Sequence, residues 1–134
     1  MELVDEGLEI LEEEECWRLL EKRSVGRVGV TIGDAPAIFP VNYRIVNGSI
    51  VFATGPGVKL SAVHSARVLA FEVDNIEEAS HGGWSVLARG AASELDAPTL
   101  QVCAAMDPWA GGDRSHLVRI AIDFISGRRI VHEA

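Results

Sequence analysis

The residues able to hold a charged ligand gather in Thr54-Gly55-Pro56-Gly57-Val58-Lys59, where an apolar run ending in Phe52-Ala53 breaks into glycines ahead of a helix-like stretch. Gly55 and Gly57 allow positive φ and leave backbone N–H groups uncovered. The helix that follows presents more free N–H groups at its N-terminus, and Lys59 adds a full positive charge. Those are the requirements of a phosphate site. The segment is not a Walker A loop, because it lacks Gly-Lys-Ser/Thr, and no parallel strand-helix-strand unit surrounds it as a dinucleotide fingerprint requires. Taken alone, Gly-Pro-Gly before a helix is more often a turn and nothing more.

Other chemistry is weakly signalled. His64, His81, His116 and His132 lack the close helical spacing of a zinc site, so no metal is expected. His64 follows the corner by about one helical turn, where the ordinary reading is a partly exposed helix residue. Cys16 and Cys103 carry no CxxC or Cys/His pattern and read as buried free thiols. No Gly-x-Ser-x-Gly supports a hydrolase triad. Trp84 and Trp109 fit core or interface aromatics as well as a ligand site, and Arg128 and Arg129 fit surface charges. A formal charge of −8, with no long run among the 12 Lys and Arg, argues against nucleic acid, so any phosphate is held locally. The apolar runs are at most strand-length and the N-terminus lacks signal-peptide character, so no membrane association and a cytoplasmic location are expected.

At 134 residues and 48% hydrophobic composition, the chain reads as a single domain over 1–134, able to bury a core without staples, with residues 1–10 a loose arm. A helix is predicted from Leu11 to Arg23, with Cys16, Leu19 and Leu20 on one face and Glu12 to Glu15 solvated at its positive end. Period two then takes over: Val28, Val30 and Ile32 share a face up to the Gly33-Asp34 turn. Ala37 to Ile45 and Ser49 to Thr54 form a hairpin about Asn47-Gly48. Arg67 to Val73 and Trp84 to Glu94 alternate as further strands across a polar loop, Asp74 to Gly83. Small residues at Ala88, Gly90, Ala91 and Ala92 point to close approach of a backbone or ligand. A helix is predicted from Asp96 to about Met106, then a loop carrying Trp109. The last strand, Leu117 to Ile125, puts Val118, Ile120, Ile122 and Phe124 on one side before Ser126-Gly127 turns the chain. Six strands with two or three short helices and hairpin connections disfavour a doubly wound sheet and predict a mainly β fold: an antiparallel barrel with peripheral helices.

The order of these elements resembles the pyridoxamine 5'-phosphate oxidase-like family, and within it the small actinobacterial and nitroimidazole-resistance-type members. The likeness rests on Pro40-Val41-Asn42-Tyr43, Phe52-Ala53-Thr54, Lys59 opening a short helix, Gly83-Trp84-Ser85-Val86, Pro108-Trp109 and Gly127-Arg128-Arg129, and runs from about Leu11 to Val131. It implies a six-stranded split β-barrel of the FMN-binding type, a homodimer with two FMN molecules between subunits, and a small organic substrate that exchanges hydride or electrons with the flavin. It assigns Thr54 and Lys59, with the Gly55–Gly57 backbone, to the ribityl phosphate. Pro40, Val41 and Asn42 would line the isoalloxazine ring through their main chain, Ser85 would face its polar edge, and Trp109 and Arg128 would reach the partner's cofactor. Tyr43, His64 and Trp109 would flank the substrate. No catalytic acid or base is required, since the flavin carries the redox step.

The chain departs from pyridoxamine phosphate oxidases proper. Gly-Pro-Gly-Val between Thr54 and Lys59 holds no extra basic residue, and the C-terminal Trp-x-Leu-x-Arg ending is absent, so that oxidation is not expected. The deazaflavin F420 is the alternative cofactor, disfavoured because its long polyanionic tail prefers more basic residues. A non-catalytic flavin- or haem-binding module is the alternative from another class.

Overall fold

Two left-handed residues, Asn47 (φ 50°) and Gly48 (φ 74°), make the tight turn between β4 (Ala35–Val46) and β5 (Ser49–Thr54), as an Asn-Gly pair dictates. One hairpin earlier, Gly33 (φ 65°) and Asp34 join β3 (Val25–Ile32) to β4, with Ile32 registered on Ala35. In the computed structural model, residues 3–5, 7–65, 68–95 and 116–131 are described. The remaining barrel strands are β6 (Val68–Glu77), β7 (Gly82–Glu94) and β8 (His116–Ile130). Their spatial order is β8-β5-β4-β3-β6-β7, and β7 pairs back onto β8, so six antiparallel strands close on themselves. This is the six-stranded antiparallel barrel that the hairpin connections predict.

Alternation fills the interior. Val28 and Val30 from β3, Val41 and Tyr43 from β4, Leu69, Phe71 and Val73 from β6, and Val86 and Ala88 from β7 are all buried in one core. α1 (Glu13–Glu21) presents Cys16, Leu19 and Leu20 to that core, beside Gly127 and Tyr43. α2 (Val58–Ser65) adds Leu60 and Val63. It sits at the other end of the barrel, beside the end of β7 and the start of β8. Among the described residues no helix is long and apolar enough to cross a membrane.

Four expectations need correction. The arm is not loose throughout: β1 (Leu3–Asp5) and β2 (Leu8–Ile10) form a hairpin laid on the end of β8, with Leu8 registered on Ile130. The stretch from Asp74 to Gly83 is mostly strand, Asn75 pairing with Trp84 and Glu77 with Gly82. Its polarity marks a solvent face rather than a loop. Ser126-Gly127 is not a turn, because β8 runs on to Ile130 with Gly127 registered on Val86. Gly127 is small for packing: a Cβ there would stand 2.8 Å from the Cys16 sulfur. Lastly, a bulge between Arg89 and Gly90 breaks the period of β8, so Ile125 packs on the core while Phe124 turns outward, its ring 4.2 Å from the Arg89 guanidinium carbon.

Candidate functional site

The corner forms where β5 runs out. Thr54, the last residue of β5, is buried and donates its hydroxyl to the Gly55 carbonyl at 3.3 Å. Gly57 takes φ 136°, which excludes a side chain on conformational grounds, and open space lies where its Cβ would be. Ser61 N–H then closes the first helical bond onto Gly57 O at 2.9 Å. The amides of Val58, Lys59 and Leu60 therefore precede the intrahelical ladder. An anion set here would meet those amides and the positive end of α2. The Lys59 side chain lies outside the described residues, as do Trp109 and the helix predicted from Asp96 to Met106.

β4 is the other strand of the hairpin whose β5 arm ends in the corner. This strand pairs with β3 over Ala35–Asn42 and with β5 over Tyr43–Val46. The β4–β5 pairing ends at Tyr43 and Phe52, so Pro40, Val41 and Asn42 extend β4 beyond it toward the end of the hairpin at which β5 runs out into the corner. Val41 points into the core and Pro40 outward, leaving main chain as the common feature. Pro40, Val41 and Asn42 thus lie at the same end of the β4–β5 hairpin as Thr54, the residue that leads into Gly57.

Ser85 and Arg128 form a second group. They are registered on each other across β7 and β8, while His116, the partner of Thr54, lies twelve positions back along β8. That is about 40 Å if the strand were fully extended. Within one protomer the two groups thus lie twelve strand positions apart along β8. Arg128 bonds the Gly127 carbonyl at 3.1 Å. Arg129 is committed elsewhere, to Glu9 at 3.1 Å and Glu15 at 2.9 Å. Arg18 and then Arg129 hold the Glu15 carboxyl down to about 2, so Glu15 is a structural anion rather than one of four solvated glutamates.

One expectation about a neighbouring residue also changes, and one about Cys16 holds. Tyr43 does not flank a substrate: it is 2% exposed, stacks edge-on against Phe71 with centroids 4.9 Å apart, and donates its hydroxyl to Leu20 O. Burial raises the thiol of Cys16, which is a free core thiol and not a nucleophile. Cys103 lies outside the described residues.

Sequence reasoning missed two clusters. At the corner end of the barrel, Glu94 binds His64 Nε2 at 2.8 Å with one oxygen and His116 Nδ1 at 2.6 Å with the other. Nothing in the spacing of residues 64, 94 and 116 signals this, because barrel closure creates it. On the outer face, Arg27 bonds Glu72 at 3.0 Å and Asp74 at 3.4 Å. Burial, then Asp74, pushes the Glu72 carboxyl up to about 7. The Phe-Glu-Val-Asp alternation of β6 does announce two carboxylates on one outward face.

That face is laid out in rows. One runs Ile38, Gly29, Ala70, Arg89, Phe124 across successive strands, and the next runs Pro40, Arg27, Glu72, Leu87, Ser126. Ile38 is 72% exposed and Phe124 40%. Two shallow cavities of about 360 and 320 Å³ share Gly29, Ile38 and Ala70. Pro40 belongs to this face, opposite Arg27.

The pyridoxamine 5'-phosphate oxidase family model matches residues 12–129. An uncharacterized protein of Mycobacterium tuberculosis, Rv0080, is 33% identical over 131 residues, covering 92% of this chain and 86% of its own. The solved FAD binding protein of Mycobacterium smegmatis is 31% identical, with a TM-score of 0.67 over 91% of this chain and 97% of its own. A solved FAD-binding protein of Mesorhizobium loti, at 24% identity, shares the fold, with a TM-score of 0.78 over 91% of this chain and 97% of its own.

Proposed function

Because the chain belongs to the pyridoxamine 5'-phosphate oxidase family, we propose that it binds FMN and passes hydride or electrons between that flavin and a small organic substrate. The observation that carries this is the open corner at Gly57, where the first α2 amides precede the helical ladder, at the end of the β4–β5 hairpin that also carries Pro40–Asn42. The cofactor would supply the redox chemistry at its N5 position. The chain's own part is to bind, orient and exclude water. The Gly57–Lys59 amides and the Lys59 ammonium hold the phosphate, Thr54 braces the turn, and Pro40, Val41 and Asn42 fix the ring through main-chain contacts. Lys59→Ala is expected to weaken FMN binding by about 1–3 kcal/mol, the value of a charge-assisted hydrogen bond to phosphate. Unchanged affinity on fluorescence titration would remove Lys59 from the site.

The distance between the corner and the Ser85–Arg128 pair supports a shared site, in which one protomer supplies the corner and its partner supplies Ser85, Arg128 and Trp109. The occupant of the outer face is then a second copy of this chain. Arg27 and Arg89 stand beside Glu72 and Asp74 on one apolar patch, a mixture of signs that a two-fold axis can set in opposite pairs.

FAD is a second reading, favoured by the name of the 31% identical Mycobacterium smegmatis protein. Parallel titration with FMN, FAD and F420 ranks the three cofactors. Bound flavin that NADH and NADPH leave oxidised, with no turnover of quinones or nitroaromatics, would identify a binding module instead of an enzyme.

A further inference from the structure

α2 carries the corner, yet at eight residues it is too short to hold its own shape in water, so its position depends on what it is tied to. Leu60 and Val63 anchor one side of it in the core. The other tie is Glu94, the last residue of β7, which grips His64 on α2 and His116 at the start of β8 with one oxygen each. His116 is in turn registered on Thr54, the residue that opens the corner. We propose that Glu94 is the positioning residue of the phosphate corner: by holding His64 and His116 together it fixes α2 relative to the end of β5, and its grip tightens as the two imidazoles gain protons. This rests on the flavin reading only for its consequence in cofactor affinity; the latch itself is a property of the free protein.

The chemistry favours a graded latch over an all-or-none lock. A neutral imidazole can donate one N–H to each Glu94 oxygen, and protonation adds a full charge to the same bond, strengthening it without changing its geometry. His116 first, then His64, hold the Glu94 carboxyl below its ordinary range. A depressed carboxylate contributes above its ordinary value and loses that contribution as pH falls through the depressed value. Glu94 therefore stays an ionised acceptor, and its contribution to the latch stays complete, down to its ordinary value of 4.5. Among the described residues, other charges are turned away from the trio or engaged elsewhere. β5 carries no ionisable side chain. Arg119 sits on the opposite face of β8, bonded to Ser49, and Asp123, Arg128 and Arg129 lie further along that strand. Arg89 of β7 lies over Phe124, and Arg27 of β3 is held by Glu72 and Asp74. Lys59 is the remaining ionisable residue on α2.

The test is hydrogen exchange of the α2 amides, corrected for intrinsic rates, at pH 8.0 and pH 5.5 in the full chain without flavin, alongside FMN affinity at both values. In the wild type, α2 protection should rise toward pH 5.5. Glu94→Gln should lower protection at both values, flatten the pH profile and weaken FMN binding about tenfold, the scale of one hydrogen bond to a charged group. His64→Gln and His116→Asn each replace the donating nitrogen with a neutral amide. They should keep wild-type protection at pH 8.0 and lose the rise at pH 5.5, which a purely space-filling role does not predict. Unchanged α2 exchange in Glu94→Gln, or a wild-type profile indifferent to pH, overturns the proposal. A wild type that binds no flavin sinks the flavin reading and leaves the exchange result to decide the latch.

Discussion

Arg128 and Arg129 are neighbours in sequence with opposite tasks. Arg129 ties β8 to the N-terminal hairpin and to α1 through Glu9 and Glu15, whereas Arg128 points along the outer face beside Ser85. Sequence gives each the same pair of readings, because what separates them is strand parity and the position of α1. Tyr43 shows the same limit: its place beside Pro40-Val41-Asn42 suggested a ligand, but one step of alternation turns it into the core. Tyr43→Phe should cost about 1 kcal/mol of stability through the orphaned Leu20 carbonyl and leave flavin affinity unchanged, as urea denaturation and titration can check. Glu72 gives a pH prediction with a definite sign. Its folded carboxyl lies at about 7, above its ordinary value of 4.5, so its contribution is complete below 4.5 and is lost as pH rises through 7. Glu72→Gln should therefore gain stability over the wild type above pH 7 and match it near pH 4.5. The gain should stay under about 1 kcal/mol because solvent screens a partly exposed group. Thermal melts at pH 5 and pH 8.5 read the difference.

Among the elements, the hairpins were the most legible. Asn47-Gly48 and Gly33-Asp34 state their turns in the residues themselves, since few types accept positive φ. The interior faces of β3, β6 and β7 followed from period two. β8 departs from its local pattern because glycine and alternation carry more than one meaning. Gly127 looks like a turn residue but is an extended residue packed under Cys16. The outward swing of Phe124 comes from a bulge whose local sign sits on another strand, at Gly90. A Cβ on Gly90 would overlap the Ala121 carbonyl oxygen, which confirms the close backbone approach expected from the small residues around it. Gly90→Ala should destabilise the fold by about 1–3 kcal/mol, since the obstacle is backbone and cannot rotate aside. Wild-type stability in that variant would contradict the bulge geometry.

At the scale of the whole molecule, barrel closure makes what no local pattern contains. It brings Glu94 between two histidines and separates the corner from Ser85 and Arg128 by most of β8. It also lines up Ile38, Ala70 and Phe124 on one outer face. If a second copy covers that face, sedimentation should give twice the 14.4 kDa chain mass, and Ile38→Glu, which sets a charge on the most exposed apolar residue of the face, should shift the protein toward monomer. A wild type that sediments as a monomer would leave the shared site without its second half. The family and the corner's place in the chain are legible because turn chemistry and strand order survive in sequence, while the placing of Ser85 and Arg128 far along β8 from the corner is set by strand register that sequence spacing does not describe. The most direct measurement of the central claim is titration of the purified wild-type protein with FMN, followed by flavin fluorescence and visible absorption. Saturable quenching with a shifted flavin band at one FMN per chain is the expected result; a flavin spectrum unchanged at saturating protein would contradict it.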